Sequence, residues 1–218
     1  LTSSHLRAQP LGDSAVTIAF GTERSAKLLK RIHAAARSLD AAKLPHVEDV
    51  VPAYLALTVF YDPLHTTYAE IAMKLLEVCD RPSRVAGESA DPRDHLIPVH
   101  YDGMDLESVA GATGLSIAQV IERHSAPAYT VDLLGFVPGF AYLSELDSSL
   151  QIPRRPEPRP RVPAGSVAIA GAQTAVYPLD TPGGWHIIGR TTTVMFDPGR
   201  APAALLRAGD TVRFRRAT

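Results

Sequence analysis

Four arginines crowd one short stretch of this chain: Pro153-Arg154-Arg155-Pro156-Glu157-Pro158-Arg159-Pro160-Arg161-Val162-Pro163, with Glu157 as the acid among them. Guanidinium groups grip carboxylates and phosphates through a planar fork. Proline pins φ and removes backbone donors, so the stretch is expected to be extended and stiff, not helical. A charge run is ordinarily a solvated linker. Here it lies between two Gly-rich strand regions of one domain, so a loop folded over an anion site stands beside that reading. Arg154, Arg155, Arg161 and, further on, Arg190 are the candidate catalytic cations, expected to line one cleft. Gln173 offers a neutral donor and acceptor suited to an amide.

Aromatic residues flank this charge. Gly135-Phe136-Val137-Pro138-Gly139-Phe140-Ala141-Tyr142-Leu143 interleaves rings with Gly and Pro. It is either a core strand followed by a tight turn or a rigid aromatic wall with backbone open to a ligand. Phe136, Pro138, Gly139, Phe140 and Tyr142 are therefore candidate substrate contacts, as are Gly171, Tyr177, Gly183, Gly184, Trp185 and His186 downstream. Trp185 is the sole tryptophan, delivered by a Pro182-Gly183-Gly184 turn; its chemistry alone favours core packing over stacking.

Standard catalytic strings are absent. There is no phosphate-binding Gly-x-x-x-x-Gly-Lys loop and no Gly-x-Gly-x-x-Gly fingerprint. Gly165-Ser166-Val167 begins like a nucleophile elbow but lacks its glycine pattern, which makes Ser166 a turn residue. His95 and His100 fall on opposite faces of a strand, and His33, His46, His65 and His124 have no partner at ligand spacing, so no protein-bound metal is expected.

The elements that must carry these residues fall into two textures. Val16, Ile18 and Phe20 alternate as a strand; Leu28, Leu29, Ile32, Ala35, Ala36 and Leu39 recur at helical spacing. Strands follow around Val47–Val50 and Leu55–Tyr61, then a helix opened by Thr67 with Glu70 as a capping box, ending before Pro82. A polar stretch, 81–93, leads to a strand over Leu96–Val99. The order β-α-β-β-α-β is the signature of a ferredoxin-like unit. After Tyr101 come two short helices, Leu106–Ala112 and Ile117–His124, and then apolar runs at Val131–Phe136, Val167–Ala170, Ala175–Tyr177, Trp185–Ile188, Thr193–Phe196 and Val212–Phe214. Short strands with dense turns predict a β-barrel or sandwich. The chain thus reads as α+β, with domains at 1–100 and 101–218.

With 45% hydrophobic and 21% charged residues and a formal net charge of −1, the chain can build a core and has no general attraction for nucleic acid or anionic lipid. Cys79 is the single cysteine, which excludes an internal disulfide; its helical apolar setting marks it as packing. No run is apolar enough to span a bilayer and no signal peptide opens the chain, so the cytoplasm is expected. Leu1 is not a natural start, which suggests a trimmed N-terminus.

Several strings together resemble the Kip-inhibitor/allophanate hydrolase subunit 1 family, also described as the B component of 5-oxoprolinase. They are Gly135–Leu143, Pro153-Arg154-Arg155, Arg161-Val162-Pro163-Ala164-Gly165-Ser166-Val167, Ile169-Ala170-Gly171, Gln173-Thr174, Tyr177-Pro178, Thr181-Pro182-Gly183-Gly184-Trp185, Ile188-Gly189-Arg190-Thr191 and Ala208–Phe214. Weaker likeness runs through Leu11–Ala15 and Val50–Tyr54. His186 departs from an expected Gln, Ala172 from a polar residue, and Tyr101–Leu106 is a short form of a longer stretch. The resemblance implies a ferredoxin-like domain followed by a cyclophilin-like β-barrel. It also implies ATP-dependent opening of 5-oxo-L-proline to L-glutamate, with Mg²⁺. Arg154, Arg155, Arg161 and Arg190 would face the transferring phosphoryl group, and Phe136, Phe140, Tyr142 and Trp185 would hold the ring. The sequence carries no complete ATP site. Catalysis shared with a larger C component (allophanate hydrolase subunit 2-like) and with an A component is therefore expected, the chain being silent alone. Alternatives within the resemblance are inhibition of a sensor histidine kinase, or a role as one subunit of a urea- or amide-processing carboxylase or hydrolase.

Overall fold

The computed structural model describes residues 6–80 and 92–217. Leu1 and most of the polar stretch after Asp80 lie outside them. The chain divides into two compact units, 1–91 and 92–218.

In the first unit, strands β1 (Arg7–Pro10), β2 (Ala15–Ala19), β3 (Val47–Pro52) and β4 (Ala56–Tyr61) form an antiparallel sheet in the order β1-β2-β4-β3. Alternation decides its faces. Val16, Ile18, Leu57, Val59 and Tyr61 turn to one side and are buried. Helices α1 (Ala26–Ala42) and α2 (Tyr68–Asp80) cover that side with Ile32, Ala35, Leu39, Ile71, Leu75 and Cys79. Ser25 caps α1 by accepting the Leu28 N–H at 3.1 Å, a bond generally worth about 1 kcal/mol. The capping box that opens α2 forms as expected: Thr67 N–H donates to Glu70 at 3.0 Å and Glu70 N–H to Thr67 Oγ1 at 3.3 Å.

The strand expected to complete this sheet does not belong to it. Strand β5 (Asp94–Val99) runs parallel to the last strand of the chain, in the other unit. Its place beside β2 is filled by β1, which precedes β2 through a tight connection and pairs with it from Arg7–Ala19 to Pro10–Val16. The sheet therefore keeps a ferredoxin-like strand arrangement but draws its edge strand from the N-terminal side. Moving residues 94–99 shifts the division to a point ahead of them.

The second unit contains α3 (Leu106–Thr113), α4 (Ile117–Ser125), β6 (Ala128–Leu134), β7 (Ala141–Ser144), a 3-10 turn (Ser148–Leu150), β8 (Arg159–Val162), β9 (Ser166–Ala170), β10 (Gln173–Val176), β11 (Thr181–Gly183), β12 (His186–Arg190) and β13 (Thr211–Arg216). Seven strands order as β12-β9-β10-β7-β6-β13-β5. The two edges meet just past β5, where His100 and Arg190 exchange backbone bonds of 2.9 and 2.8 Å and bring the sheet near closure as a barrel. Inside lie Val131, Leu143, Val167, Ile169, Val176, Ile188 and Phe214. The apolar run Thr193–Phe196 is not a strand; it is tied down by a single bridge, Phe196–Ala204, because it turns back onto 203–205.

Alternation along β7, β9, β10 and β12 puts a second apolar set on the outside of the barrel. Phe140, Ala168, Ala170, Ala175, Tyr177, Trp185 and Ile187 form it, with Val162 from the ribbon β8–β11. Three of these are alanines, so the sheet surface there is low and larger neighbours can lie over it. That recess carries the candidate site.

Candidate functional site

Three segments converge beside the outer aromatic cluster. The first is the connection from β5 to α3. Asp105 N–H donates to Ile187 O at 2.9 Å and Gly103 N–H to Ile188 O at 3.2 Å, so this connection runs along β12. A Cβ on Gly103 would sit 2.3 Å from the Ile188 carbonyl carbon, so only glycine allows that approach. The second is the turn into β12, Gly183–Ile187. The third is the proline–arginine stretch, whose Arg155 N–H donates to Gly184 O at 2.8 Å. The stretch is extended and folded onto the protein, with Arg159 paired to Gly183 in the β8–β11 ribbon.

Asp105 is the hub. It occupies the N-cap position of α3 yet makes no side-chain cap bond to its own helix. Its carboxylate, 95% shielded, accepts the Ile187 N–H at 2.7 Å, Arg159 at 2.6 Å and Arg155 at 3.4 Å. A residue that forgoes its usual local bond for two guanidinium groups marks the place where local preference has yielded to the site. Arg155 Nε, Arg159 Nη1 and His186 Nδ1 are buried without a hydrogen-bond partner. His186 Nε2 bonds to the Pro153 carbonyl at 2.9 Å, so Nε2 is the donor and Nδ1 presents a lone pair in the neutral ring.

Arg154 lies over the Trp185 ring at 5.9 Å. Trp185 is 5% exposed and packs edge-on against Phe140 and Tyr142, with Tyr177 on the far side of Phe140. The ring is thus both core anchor and platform. A Cβ on Gly183 would stand 2.3 Å from the Tyr177 hydroxyl, which shows how closely the turn presses on that side chain. Burial pushes the Tyr177 phenol up, opposed by its bond to the Trp185 backbone and by Arg154 and Arg159 nearby.

The expected cleft of four arginines does not form. Arg161 is exposed and bonded through Nε and Nη2 to Asp180, and Arg190 is exposed and bonded to Asp102 at 2.8 Å. Neither shares an acceptor with Arg154 or Arg155. The reason is strand geometry: Arg190 sits at the barrel seam opposite His100, and Arg161 lies two residues past Arg159 toward the Asp180 turn. Arg159 takes the role assigned to them. Sequence reasoning placed Arg159 in the run but not in the site, and it missed Asp105 altogether. An aspartate just ahead of a helix reads as a cap, and nothing local betrays an acceptor for arginines 50 and 54 residues away.

Other predicted contacts scatter along the same face. Gln173 is half-buried, in register with Ser144 on one side and Ala170 on the other. Beside it, Ser144 Oγ donates to the buried carboxylate of Asp132, another group the sequence did not announce. Gly171 holds a positive φ of 53° at the β9–β10 turn and donates to Ile152 O at 2.7 Å. Phe136, Pro138 and Gly139 line an open depression of about 360 Å³ formed by residues 134–139. Phe136 is 59% exposed with φ 72°, and its ring meets Phe140 edge-on at 5.5 Å. A wider depression of about 570 Å³ lies between α4 and the β7 exit, where Arg123 is already bonded to Ser149 at 2.6 Å.

His124 is wholly buried in the barrel core. Thr174 Oγ1 donates to Ala168 O at 3.1 Å, so it accepts from His124 Nε2 at 2.8 Å; Nδ1 then accepts the Tyr101 hydroxyl at 2.8 Å. Burial holds its pKa at about 3, so this ring is a neutral structural group. Among the described residues no cluster of three His, Cys, Asp or Glu could hold a metal, and no helix is long and apolar enough to cross a membrane.

Comparison with known proteins places this geometry. Residues 6–206 match the carboxyltransferase domain, subdomain C and D family. The chain is 40% identical to the 5-oxoprolinase B subunit of Bacillus subtilis, covering 94% of this chain and 90% of that one. It is 41% identical to the 5-oxoprolinase B subunit of Escherichia coli O157:H7, covering 95% and 94%. The crystal structure of TTHA0988 superposes with a TM-score of 0.83 at 41% identity; the match takes in 94% of this chain and only 40% of that longer one. Kluyveromyces lactis urea amidolyase shares the fold, at a TM-score of 0.73 and 15% identity, over 98% of this chain and 15% of that one. The chain belongs to the carboxyltransferase subdomain C and D family and, within it, groups with the B subunits of 5-oxoprolinase.

Proposed function

We propose that this chain is the B subunit of an ATP-dependent 5-oxoprolinase, opening 5-oxo-L-proline to L-glutamate together with partner subunits. The observation that carries this reading is identity of about 40% over nearly the whole length of three proteins of that name. A lactam carbonyl is a poor electrophile, and ATP, when bound in the assembled enzyme, would supply the phosphoryl group that activates its oxygen. What this chain brings is a place for the small ring and for negative charge. Trp185, Phe140, Tyr142 and Tyr177 give an aromatic floor, and Arg154, Arg155 and Arg159 give donors above it. Phosphate oxygens also fit such donors. The donor set suits an anion and not a metal, so Mg²⁺ would arrive with the nucleotide or be held by a partner.

Partners follow from the same name: a larger C component and an A component, without which this chain is silent in catalysis. Further support for a partner comes from TTHA0988, where the region like this chain is part of a longer polypeptide. The test is co-expression of the three components and an assay of ATP-dependent glutamate release. Release by the full set, and by no set lacking this chain, is the expected result. Undiminished release without it would overturn the proposal.

A further inference from the structure

The arginine centre is unbalanced. Arg155 and Arg159 share one carboxylate, Asp105, whose second oxygen is committed to the Ile187 N–H. Arg154 adds a further positive charge over Trp185. One acceptor cannot satisfy two guanidinium forks, and Arg155 Nε and Arg159 Nη1 are left buried without partners. Leaving charged donors unpaired and desolvated is costly, and a native structure tolerates it chiefly where something else completes the set. The two arginines are not held alike. Arg159 is 19% exposed and bonded at 2.6 Å, whereas Arg155 is 33% exposed on a 3.4 Å contact. Arg159 is fixed; Arg155 is free to swing.

We propose that Arg155 and Arg159 form an oxyanion-binding pair, with Asp105 as the positioning residue that holds Arg159 and parks Arg155 until an anion takes its place. The ligand is an oxyanion on a small polar molecule seated against Trp185 and Tyr177, either a carboxylate or a phosphoryl oxygen. His186 completes the set: its Nδ1 lone pair, fixed by the Nε2 bond to Pro153 O, accepts one N–H from the same ligand. The proline frame keeps the backbone of the stretch in place, so binding orders one side chain and little else. This deepens the function proposed above and rests on that site, but it concerns binding by this chain alone.

The test uses the whole chain with ¹⁵N-labelled arginine and follows the Nε–H signals of Arg155 and Arg159, assigned with Arg155→Lys and Arg159→Lys. Three probes are titrated separately: 5-oxo-L-proline, the uncharged ring 2-pyrrolidinone, and inorganic phosphate. Shifts with 5-oxo-L-proline alone support the proposal with a carboxylate source; shifts with phosphate alone support it with a phosphoryl source. Arg159→Lys keeps the charge but loses the fork and should weaken binding at least about tenfold, while Arg161→Lys, an exposed pair with Asp180, should leave it unchanged. If Arg159→Lys does not fold, the more exposed Arg155→Lys carries the same expectation. The proposal is overturned if neither anion moves these signals, if 2-pyrrolidinone moves them equally, or if Arg161→Lys weakens binding as much. Failure of glutamate release by the assembled enzyme would leave a positive titration standing, so the two readings fail separately.

Discussion

Replacing Asp105 by alanine isolates the interaction on which the candidate site is built. Three bonds end on this carboxylate, from Ile187 N–H at 2.7 Å, Arg159 at 2.6 Å and Arg155 at 3.4 Å. Removing one partner of a buried ion pair generally costs about 3–5 kcal/mol, because the other charge stays buried and uncompensated. Arg155 can turn outward, which lowers that figure; Arg159, more deeply set, cannot do so as easily. The Ile187 N–H also loses its acceptor, a loss generally costing about 1–3 kcal/mol. These terms overlap, and the net expectation for Asp105→Ala is a loss of about 3–4 kcal/mol. Asp105→Asn keeps an acceptor for Ile187 and should lose about half as much. Urea unfolding followed by the fluorescence of Trp185, the sole tryptophan, reads the second unit whatever the first one does. The Asp105 transitions should also respond little to added salt, since a shielded pair is weakly screened. Wild-type stability of both variants, within about 0.5 kcal/mol, would refute the reasoning.

Other expectations follow from single features. Folding holds the His124 pKa down from 6.5 to about 3, so its stabilising effect is full above about 6.5 and is lost as pH falls toward 3. That contribution is about 1.4 kcal/mol per pH unit within the window, and His124→Gln, which can bond to Tyr101 and Thr174 without titrating, should unfold less steeply in acid. A Gly103→Ala chain would drive its Cβ to 2.3–2.4 Å from the backbone of Ile187–Gly189; a fall of at least about 2 kcal/mol in the second unit is expected, and unchanged melting would contradict that contact. Burial raises the Cys79 thiol to about 12, so iodoacetamide at pH 8 should label it only after denaturation; rapid labelling of the native chain would show that α2 does not seal it.

Periodicity made much of the architecture legible from sequence. The helix over 26–42 appears in the spacing of Leu29, Ile32, Ala36 and Leu39, and Thr67 with Glu70 announces the start of α2, because those signals are local. The proline–arginine stretch could be read as extended because proline permits little else. What no local signal carried was pairing. Residues 94–99 look like a strand in any sheet, and only hydrogen bonds to residues 211–216, at the other end of the chain, assign them to the barrel. The same holds for the site. Arg161 and Arg190 were as attractive in sequence as Arg155, and each found an exposed aspartate instead. Asp105 looked like a helix cap. It became the hub only because Gly103 lets its connection lie against β12, bringing the carboxylate to arginines about fifty residues away. Sequence determines which groups are present and how each segment bends. Which charges meet is decided by long-range strand register, and that exists only once the barrel has closed.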